Sequence, residues 1–406
     1  MSGHTIIAEN KTTFTAHFAV IIFENAENNL IFAANNADIM RKIYVWQQDN
    51  WPAFSWDKDA VSASLGKVRQ KQGHLVGRIS ALGFEVQNNS ALEAMTQEVI
   101  SSSAIEGVNL NPASVRSSIA RHLGLEIEGI KESDHYTDGI VQIAIDAAHN
   151  YKEALTESRL FNWHAALFPS GRSGVFPITV AAYRVGEDPM QVISGAFGKE
   201  KIHYEAPAST DVPAMMNSLL AWINTNDDID DVLKAAIAHL WFVSIHPFDD
   251  GNGRITRTIT DMLLARADGM PHRYYSMSAS INNMKSEYYD ILEKTQKGNL
   301  DITEWLLWFL KCLEAAVDST EKVIDKVIEK AVFWERCRRI PMNERQTKMV
   351  NMLWDGFEGK LKSSKWAKIC KCSEDTALRD ISFLVDEGLL RKSEEGGRST
   401  NYELNL

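Results

Sequence analysis

Residues 246–257 read His-Pro-Phe-Asp-Asp-Gly-Asn-Gly-Arg-Ile-Thr-Arg. This stretch brings together an imidazole, two carboxylates, a Gly-Asn-Gly turn and two guanidiniums. The run that follows, up to Leu264, has apolar residues at helical spacing, which predicts a helix directly after the turn. Backbone N–H groups at a helix N-terminus bind anions. The stretch therefore predicts a helix that begins at an anion-binding turn.

The side chains of this stretch suit the parts of a nucleoside triphosphate and the chemistry done on it. His246 titrates near neutral pH and can act as a general base. Asp250 is a hard oxygen ligand of the kind that Mg²⁺ prefers. Residues 251–253 allow the backbone to approach a phosphate closely, and Arg254 and Arg257 can share one polyphosphate. The alternative is an ordinary loop with solvated arginines, but the density of these groups favours a nucleotide site.

The same stretch resembles the signature of Fic-domain proteins, His-x-Phe-x-Asp/Glu-Gly-Asn-Gly-Arg-x-x-Arg, and every specified position matches. The resemblance covers most of residues 40–320. Fic enzymes are mostly adenylyltransferases, which move AMP from ATP to a protein hydroxyl with Mg²⁺. The resemblance implies a mainly α Fic-type core with a small β-hairpin flap, an adenylyltransferase activity, ATP as substrate and Mg²⁺ as cofactor. Phosphorylation and UMP transfer are rival chemistries of this fold, and the intact signature favours AMP.

The resemblance also assigns roles to residues. His246 is implied as the catalytic base that takes the proton of a Ser, Thr or Tyr hydroxyl, and Asp250 as the Mg²⁺ ligand. The helix with Tyr288, Tyr289 and Gln296 is implied to border the adenine. The implied ATP-binding residues are Phe248, Asp249, Asp250, Gly251, Asn252, Gly253, Arg254, Arg257, Tyr288, Tyr289 and Gln296.

A second motif, Ser-Ser-Ala-Ile-Glu-Gly at residues 102–107, ends an amphipathic run. One interpretation is a packed helix closed by Gly107 as a C-terminal cap. The motif is also similar to the Fic inhibitory motif, Ser/Thr-x-x-x-Glu-Gly/Asn, with Ser102, Glu106 and Gly107 at the specified positions. That resemblance implies that Glu106 pairs with Arg257 and prevents productive placement of the γ-phosphate. In some relatives this Glu orients water for removal of AMP, and that second role stays open.

Composition limits the class of protein. A chain of 406 residues with 45% hydrophobic residues predicts two or three globular domains. It has no apolar run of membrane-spanning length, and the apolar patch at residues 18–23 lacks a basic segment before it, so we expect a cytoplasmic protein. Four cysteines fit a reducing compartment, and Cys370-x-Cys372 lacks a second pair for zinc. A net charge of −11 argues against a protein that coats nucleic acid.

The pattern of apolar residues and turns predicts five segments. These are an N-terminal extension of unknown role at 1–39, a helical region with the inhibitory helix at 40–130, the catalytic core at 131–320, a connecting helix at 321–341 and a winged helix-turn-helix at 342–406. The predicted helices of the first three segments are 60–82, 91–105, 112–123, 138–155, 158–168, 211–224, 230–245 and 286–297, followed by a long one at 302–338. His164 is interpreted as a packing residue.

Residues 191–195 and 202–205 are predicted to form strands around a turn that contains Gly198. In the family this hairpin is the flap, and its exposed edge pairs with an extended target segment. The resemblance therefore implies a target protein that docks near Val192 and Gly195, or a second copy in self-modification. A purely structural hairpin that covers the core is the alternative.

The last 65 residues resemble a winged helix-turn-helix, with helices at 344–353, 363–369 and 373–384 and a strand, turn and strand over 388–404. Its recognition helix would offer Thr376, Arg379 and Ser382 to DNA, and its wing Arg398. Glu374, Asp375 and Asp380 on the same helix weaken that interpretation, and dimerisation or target contact is as well supported. The alternative function for the whole chain is a DNA-binding regulator whose Fic core senses nucleotide or is mostly inactive.

Overall fold

The structure is a computed structural model. It describes residues 43–125, 133–195, 200–226, 228–271, 273–354, 357, 359–393 and 400–405. The extension at 1–39, the flap turn at Gly198 and the wing residue Arg398 lie outside the described residues. Contacts divide the chain into two compact units, Met1–Thr320 and Glu321–Leu406. In the described part, no helix is both long and apolar enough to cross a membrane.

The described part is mainly helical. The helices of the first unit are α1 (Lys58–Ser80), α2 (Phe84–Ile105), α3 (Pro112–Leu123), α4 (His135–His149), α5 (Glu157–Leu167), α6 (Val212–Ile223), α7 (Asp231–Ile245), α8 (Asn252–Asp268), α9 (Met277–Asn283) and α10 (Lys285–Gln296). Helix α11 (Thr303–Cys337) extends into the second unit, which also holds α12 (Glu344–Trp354), α13 (Ser363–Cys370) and α14 (Glu374–Asp386). Six short strands form three antiparallel hairpins, β1 (Arg172–Ser173) with β2 (Phe176–Pro177), β3 (Gln191–Ser194) with β4 (Lys201–Glu205), and β5 (Leu390–Lys392) with β6 (Tyr402–Leu404).

Capping residues explain where several helices begin and end. The Asn111 side chain accepts hydrogen bonds from Ala113 N and Ser114 N, and Pro112 follows as the first helical residue. Gly124 closes the same helix with φ 66°, a conformation that favours glycine. Both ends of α3 therefore agree with the prediction.

Other boundaries differ from the prediction. Helix α4 ends at His149 rather than 155, because the carbonyl of Tyr151 accepts a hydrogen bond from Arg266 Nε instead of continuing the helix. Helix α2 begins at Phe84, seven residues before the predicted start, since the polar run before Ala91 carries no apolar period. The short helix α9 and the two-residue strands β1 and β2 were not predicted, because so few residues do not establish a pattern.

Helices α7 and α8 pack together at the centre of the first unit, and α2, α4 and α5 contact α8. Nearly every residue of α7 is buried, and so is α8 from Asn252 to Ala265 apart from Gly253. The predicted apolar side of α8 is thus only part of its buried surface. Even its arginines are enclosed, so any anion that they bind must reach them through a cleft.

The hairpin of β3 and β4 is held at the C-terminal end of α7. Tyr204 is buried and donates a hydrogen bond from its hydroxyl to Ser244 O at 2.6 Å. Trp46, in a 3-10 turn at Val45–Gln47, donates from its indole to Glu205 O at 2.9 Å. These two anchors place the predicted flap beside His246.

The second unit has its own apolar core. Its buried cluster comprises Phe333, Cys337, Met349, Val350, Leu361, Trp366, Ala367, Ala377, Ile381, Leu384, Leu389 and Leu390. Arg345 of α12 pairs with Asp380 of α14 at 2.7 and 3.1 Å. Asp380 is therefore used inside the unit. The order of three helices and a hairpin is the one predicted from the sequence.

Candidate active site

The signature loop is a turn between two left-handed residues. His246 ends α7 with φ 50°, and Gly251 precedes α8 with φ 82°. A Cβ atom at Gly251 would lie 2.8 Å from Phe168 Cε2, so glycine is required there for both its φ and its size. The loop thus delivers the imidazole and the first amides of α8 to the same place.

Asn252 and His164 hold this loop in shape. The Asn252 carboxamide accepts from Phe248 N at 2.9 Å and donates to Phe248 O at 2.7 Å. Phe248 is fully buried and stacks on the His164 ring at a centroid distance of 4.2 Å. His164 Nδ1 accepts from Ala181 N at 3.2 Å, so its Nε2 carries the proton and donates to Asp250 O at 3.1 Å. The Asn252 side chain, expected to hold phosphates, shapes the loop, and His164 is a packing residue that also orders it.

Arg184 supports the loop from the other side, and no sequence motif points to it. Its main-chain N donates to Pro247 O at 2.9 Å and its Nε donates to His246 O at 2.8 Å. A third bond joins its guanidinium to Pro207 O. A buried arginine bonded to three carbonyls fixes the backbone on which the imidazole is mounted.

The environment of His246 suits a neutral imidazole. The side chain lines a pocket, and its Nδ1 lies 3.4 Å from Val243 O. Burial and then the nearby charge of Arg184 lower the pKa of His246 to about 4. The ring is therefore neutral at pH 7 and can accept a proton.

The two adjacent carboxylates have different surroundings. Asp249 accepts a hydrogen bond from Thr179 N at 2.8 Å and does not line the pocket described here. Asp250 lines it, with 35% of its side chain exposed, and accepts a hydrogen bond from Ser173. Of the two, Asp250 is the one that can meet a ligand.

The structure separates the two signature arginines. Arg257 lines the pocket and is 2% exposed, whereas Arg254 donates to Tyr136 hydroxyl at 2.7 Å and lies over the Phe168 ring at 5.0 Å. Arg254 is absent from the described lining of this pocket, but its Nη2 lies 3.8 Å from Asp250 Oδ1 at the pocket wall, so the sharing of one polyphosphate by both arginines stays a prediction. Residues three apart lie on the same side of a helix, and the two guanidiniums differ here in their partners, Tyr136 for Arg254 and the end of α2 for Arg257.

The end of α2 accepts three hydrogen bonds from the guanidinium of Arg257. Its Nε donates to Ser102 Oγ at 2.9 Å, and its Nη2 donates to Ser102 O at 2.9 Å and to Glu106 Oε1 at 2.8 Å. Gly107, with φ 79°, turns the chain away after this contact. The predicted pairing of Glu106 with Arg257 is therefore present in the geometry.

Glu106 also lies against the glycine turn. A Cβ atom built on Gly253 would come within 2.1 Å of Glu106 Oε1. The carboxylate thus occupies the space directly above the first turn of α8, where an anion would meet the helix N-terminus.

The pocket has a volume of about 200 Å³ and is bounded by α2, α7, α8, α10 and the flap. Of the predicted residues, those that line it are Glu106, His246, Asp250, Asn252, Gly253, Arg257, Tyr288, Tyr289 and Gln296. The other predicted nucleotide-binding residues lie outside its described lining and contact the signature loop or the neighbouring helices: Phe248, Asp249, Gly251 and Arg254.

Three residues of α10 form one wall of this pocket. Tyr288 hydroxyl lies 2.9 Å from His239 Nε2, Tyr289 hydroxyl donates to Ile105 O at 3.4 Å, and Gln296 Nε2 donates to Ser244 Oγ at 3.3 Å. Burial raises the pKa of both tyrosines, so both are neutral. These three residues give the wall an uncharged and partly aromatic section, and Asp290 and Glu293 of the same helix add carboxylates to the pocket lining. The flap residues Lys201 and His203, which also line the pocket, were not predicted as site residues.

Comparison with known proteins agrees with the signature. Residues 154–264 match the Fic/DOC family, in agreement with the resemblance of the signature. Residues 44–125 match a family described as a domain of unknown function, DUF4172. Each match covers less than half of the chain.

Among curated relatives, the chain is 26% identical over 232 residues to the protein adenylyltransferase Fic of Aedes aegypti, covering 56% of this chain and 42% of that protein. It is 26% identical over 248 residues to the protein of the same name from Drosophila mojavensis, covering 59% and 44%. The chain thus spans less than half the length of these relatives. A crystal structure of a Fic family protein from Desulfovibrio desulfuricans G20 is 19% identical, with a TM-score of 0.48 over 86% of this chain and 97% of that one.

Proposed function

We propose that this protein is an adenylyltransferase that moves AMP from ATP to a Ser, Thr or Tyr hydroxyl of a target protein or of a second copy of itself. One observation carries the proposal. A neutral imidazole at His246 and the N-terminus of α8 meet in a pocket that also holds Asp250 and Arg257. That combination supplies a base, an anion site and a cation within one cleft, and the names of the curated relatives support the same chemistry.

In this proposal His246 accepts the proton of the acceptor hydroxyl as its oxygen attacks the α-phosphorus. The bond from that phosphorus to the bridging oxygen breaks, and pyrophosphate leaves. The main-chain amides at the start of α8 hold phosphate oxygens, and Arg257 neutralises the far end of the triphosphate. Arg184 and Asn252 act earlier, because they fix the loop on which His246 is mounted.

The donor set fits Mg²⁺ bound together with a nucleotide. Mg²⁺ usually takes one or two carboxylates and fills its other positions with phosphate oxygens and water. Asp250 offers such a carboxylate at the pocket wall. No group of three or more metal-ligating side chains occurs among the described residues, and Asp250 is the residue that we propose holds the ion. Bound there, the ion would neutralise phosphate charge.

We further propose that Glu106 inhibits the enzyme. Its carboxylate uses the guanidinium of Arg257 and lies over Gly253. A triphosphate placed for reaction would have to displace it, because like charges repel strongly in a partly dry cleft. Glu98, also on α2, accepts from Ser276 Oγ at 2.7 Å and Ser278 N at 3.0 Å, which anchors the helix that carries Glu106.

The function is tested by incubating the chain with Mg²⁺ and ATP labelled at the α-phosphate. Label on the wild-type protein or its Glu106→Gly variant, absent from His246→Ala, is the expected result. Label at the γ-phosphate instead would show phosphorylation, and incorporation from UTP would show UMP transfer. Absence of all three in the Glu106→Gly variant would refute transferase activity.

The partners follow from the same proposal. We propose that a target strand pairs along the flap near Val192 and Gly195, as sheet edges commonly accept peptides. For the second unit, contact with DNA, with a target or with a second copy are the candidate roles. Arg379 and Ser382 are exposed on α14, but so are Glu374 and Asp375. Loss of DNA binding in an Arg379→Ala variant would favour the regulator alternative.

A further inference from the structure

The flap and α10 are joined by a chain of polar side chains apart from the signature. Ser194 Oγ lies 2.5 Å from His203 Nε2, and His203 Nδ1 lies 2.5 Å from Glu293 Oε2. Ser194 is on β3, His203 on β4 and Glu293 on α10. One carboxylate of the helix is thus connected through one imidazole to both strands of the hairpin.

A β-bulge gives His203 this position. Val192 pairs with Tyr204 and Ile193 with Ile202, so His203 is the extra residue on β4. A bulge redirects the side chain of the extra residue and ends regular pairing locally. The bulge that interrupts the pairing of β3 and β4 therefore points the imidazole of His203 at α10.

The connection holds in either protonation state of His203. A neutral ring with its proton on Nδ1 donates to Glu293 and accepts from the Ser194 hydroxyl, and a protonated ring donates to both. Burial would raise the pKa of Glu293, but hydrogen bonds from His203 and Lys297 lower it to about 2. The carboxylate is therefore ionised near neutral pH, and Lys201 on the flap also lies 3.5 Å from it.

We propose that His203 and Glu293 form a latch that fixes the edge of the flap relative to His246 and so determines how an acceptor hydroxyl is presented. Both residues line the same pocket as His246, and both act as positioning residues. This inference rests on the proposed function for its catalytic part. A strand edge must be ordered before a peptide can pair with it, and ordering by the latch removes that cost from acceptor binding.

Hydrogen exchange of the full chain tests the latch without any activity. We expect the amides of β3 and β4 to exchange several-fold faster in His203→Ala and Glu293→Gln than in wild type. Glu304→Gln is the matched control, since Glu304 of α11 pairs with Lys294 of α10, the helix that carries Glu293, and both side chains are about 65% exposed. Equal exchange in all four proteins would overturn the latch.

Transfer is then measured in the Glu106→Gly background, with a tagged His246→Ala copy as the acceptor. We expect the latch variants to need about tenfold more acceptor for half-maximal rate, the factor that loss of one charge-assisted hydrogen bond produces. His203→Gln, which keeps one of the two bonds, should recover part of the loss. ATP affinity, measured by calorimetry, should not change.

The outcomes separate the two proposals. If the Glu106→Gly parent transfers no AMP, the proposed function fails, and the exchange experiment still decides the latch. If the parent transfers AMP and the latch variants do so with the parental acceptor dependence, the latch is refuted. An equal fall in ATP affinity would make His203 and Glu293 nucleotide ligands and would also refute it.

Discussion

Replacing Glu106 by glycine should raise AMP incorporation, an unusual direction for a mutation at a buried contact. The carboxylate makes one charge-assisted hydrogen bond to Arg257 at 2.8 Å and lies against Gly253. Glycine removes both contacts and leaves the bonds from Arg257 to Ser102 in place. The guanidinium and the space above α8 then become available to the triphosphate.

The size of the effect follows from that hydrogen bond. A bond between charged groups contributes about 1.5–3 kcal/mol when it is shielded from water, and Glu106 is 25% exposed while Arg257 is 2% exposed. Since 1.4 kcal/mol corresponds to tenfold, productive ATP binding should improve by roughly 10- to 150-fold. The same lost bond should also lower the free energy of unfolding, by about 1.5–3 kcal/mol.

The assay measures AMP incorporation into the chain with α-labelled ATP and Mg²⁺. Glu106→Gln, which keeps the shape but removes the charge, should give an intermediate rate. Arg257→Ala should not mimic Glu106→Gly, because the triphosphate then loses its cation as well. Equal or lower incorporation in Glu106→Gly would refute autoinhibition, and incorporation that survives addition of His246→Ala would refute the catalytic base.

Four further outcomes are expected. His246→Ala should lower transfer by about 10²- to 10⁴-fold while ATP affinity measured by calorimetry stays, because the base is lost and the phosphate site is not. Because the pKa of His246 is lowered to about 4, its neutral, basic form persists down to that pH. The transfer rate should therefore be flat from about pH 8 to 5 and fall as the pH approaches 4. A fall centred near pH 6.5, the ordinary pKa of histidine, would contradict this. Gly251→Ala should destabilise the fold by about 1–3 kcal/mol, seen as a lower Tm, since alanine meets a positive φ and the Phe168 ring. A chain ending at Thr320 should fold and keep self-modification, whereas one ending at residue 341 keeps apolar residues of the second unit's core and should be less soluble.

Local patterns account for what was predictable in the fold. Helices with strong caps and clear spacing, such as α3 and α7, begin within a residue of their expected starts. The short elements α9, β1 and β2 and the polar start of α2 were missed, because a periodic apolar pattern becomes recognisable only over several helical turns or strand residues. The structure places the C-terminal boundary near residue 321, since part of α11 contributes to the second unit's core, a long-range packing fact.

Some residues of the candidate site could be predicted from the sequence, and others were found only in the structure. Residue types and spacing predicted His246, Asp250 and Arg257 as site residues, and the resemblance to the Fic inhibitory motif implied Glu106, because both motifs are short and continuous. The support from Arg184 was not predictable, since the three carbonyls that it binds lie 23, 62 and 63 residues away along the chain.

The sequence by itself determined that residues 246–257 match the Fic signature, that a base and an anion-binding turn adjoin each other, and which motif could oppose them. Those are properties of residues close together in the chain. Only the tertiary structure decided that Arg257 faces the pocket while Arg254 faces Tyr136, and that Glu106 reaches Gly253 from 147 positions away. The physical reason is that packing between helices distant in the chain sets which partner a side chain meets, and local spacing carries no record of that packing.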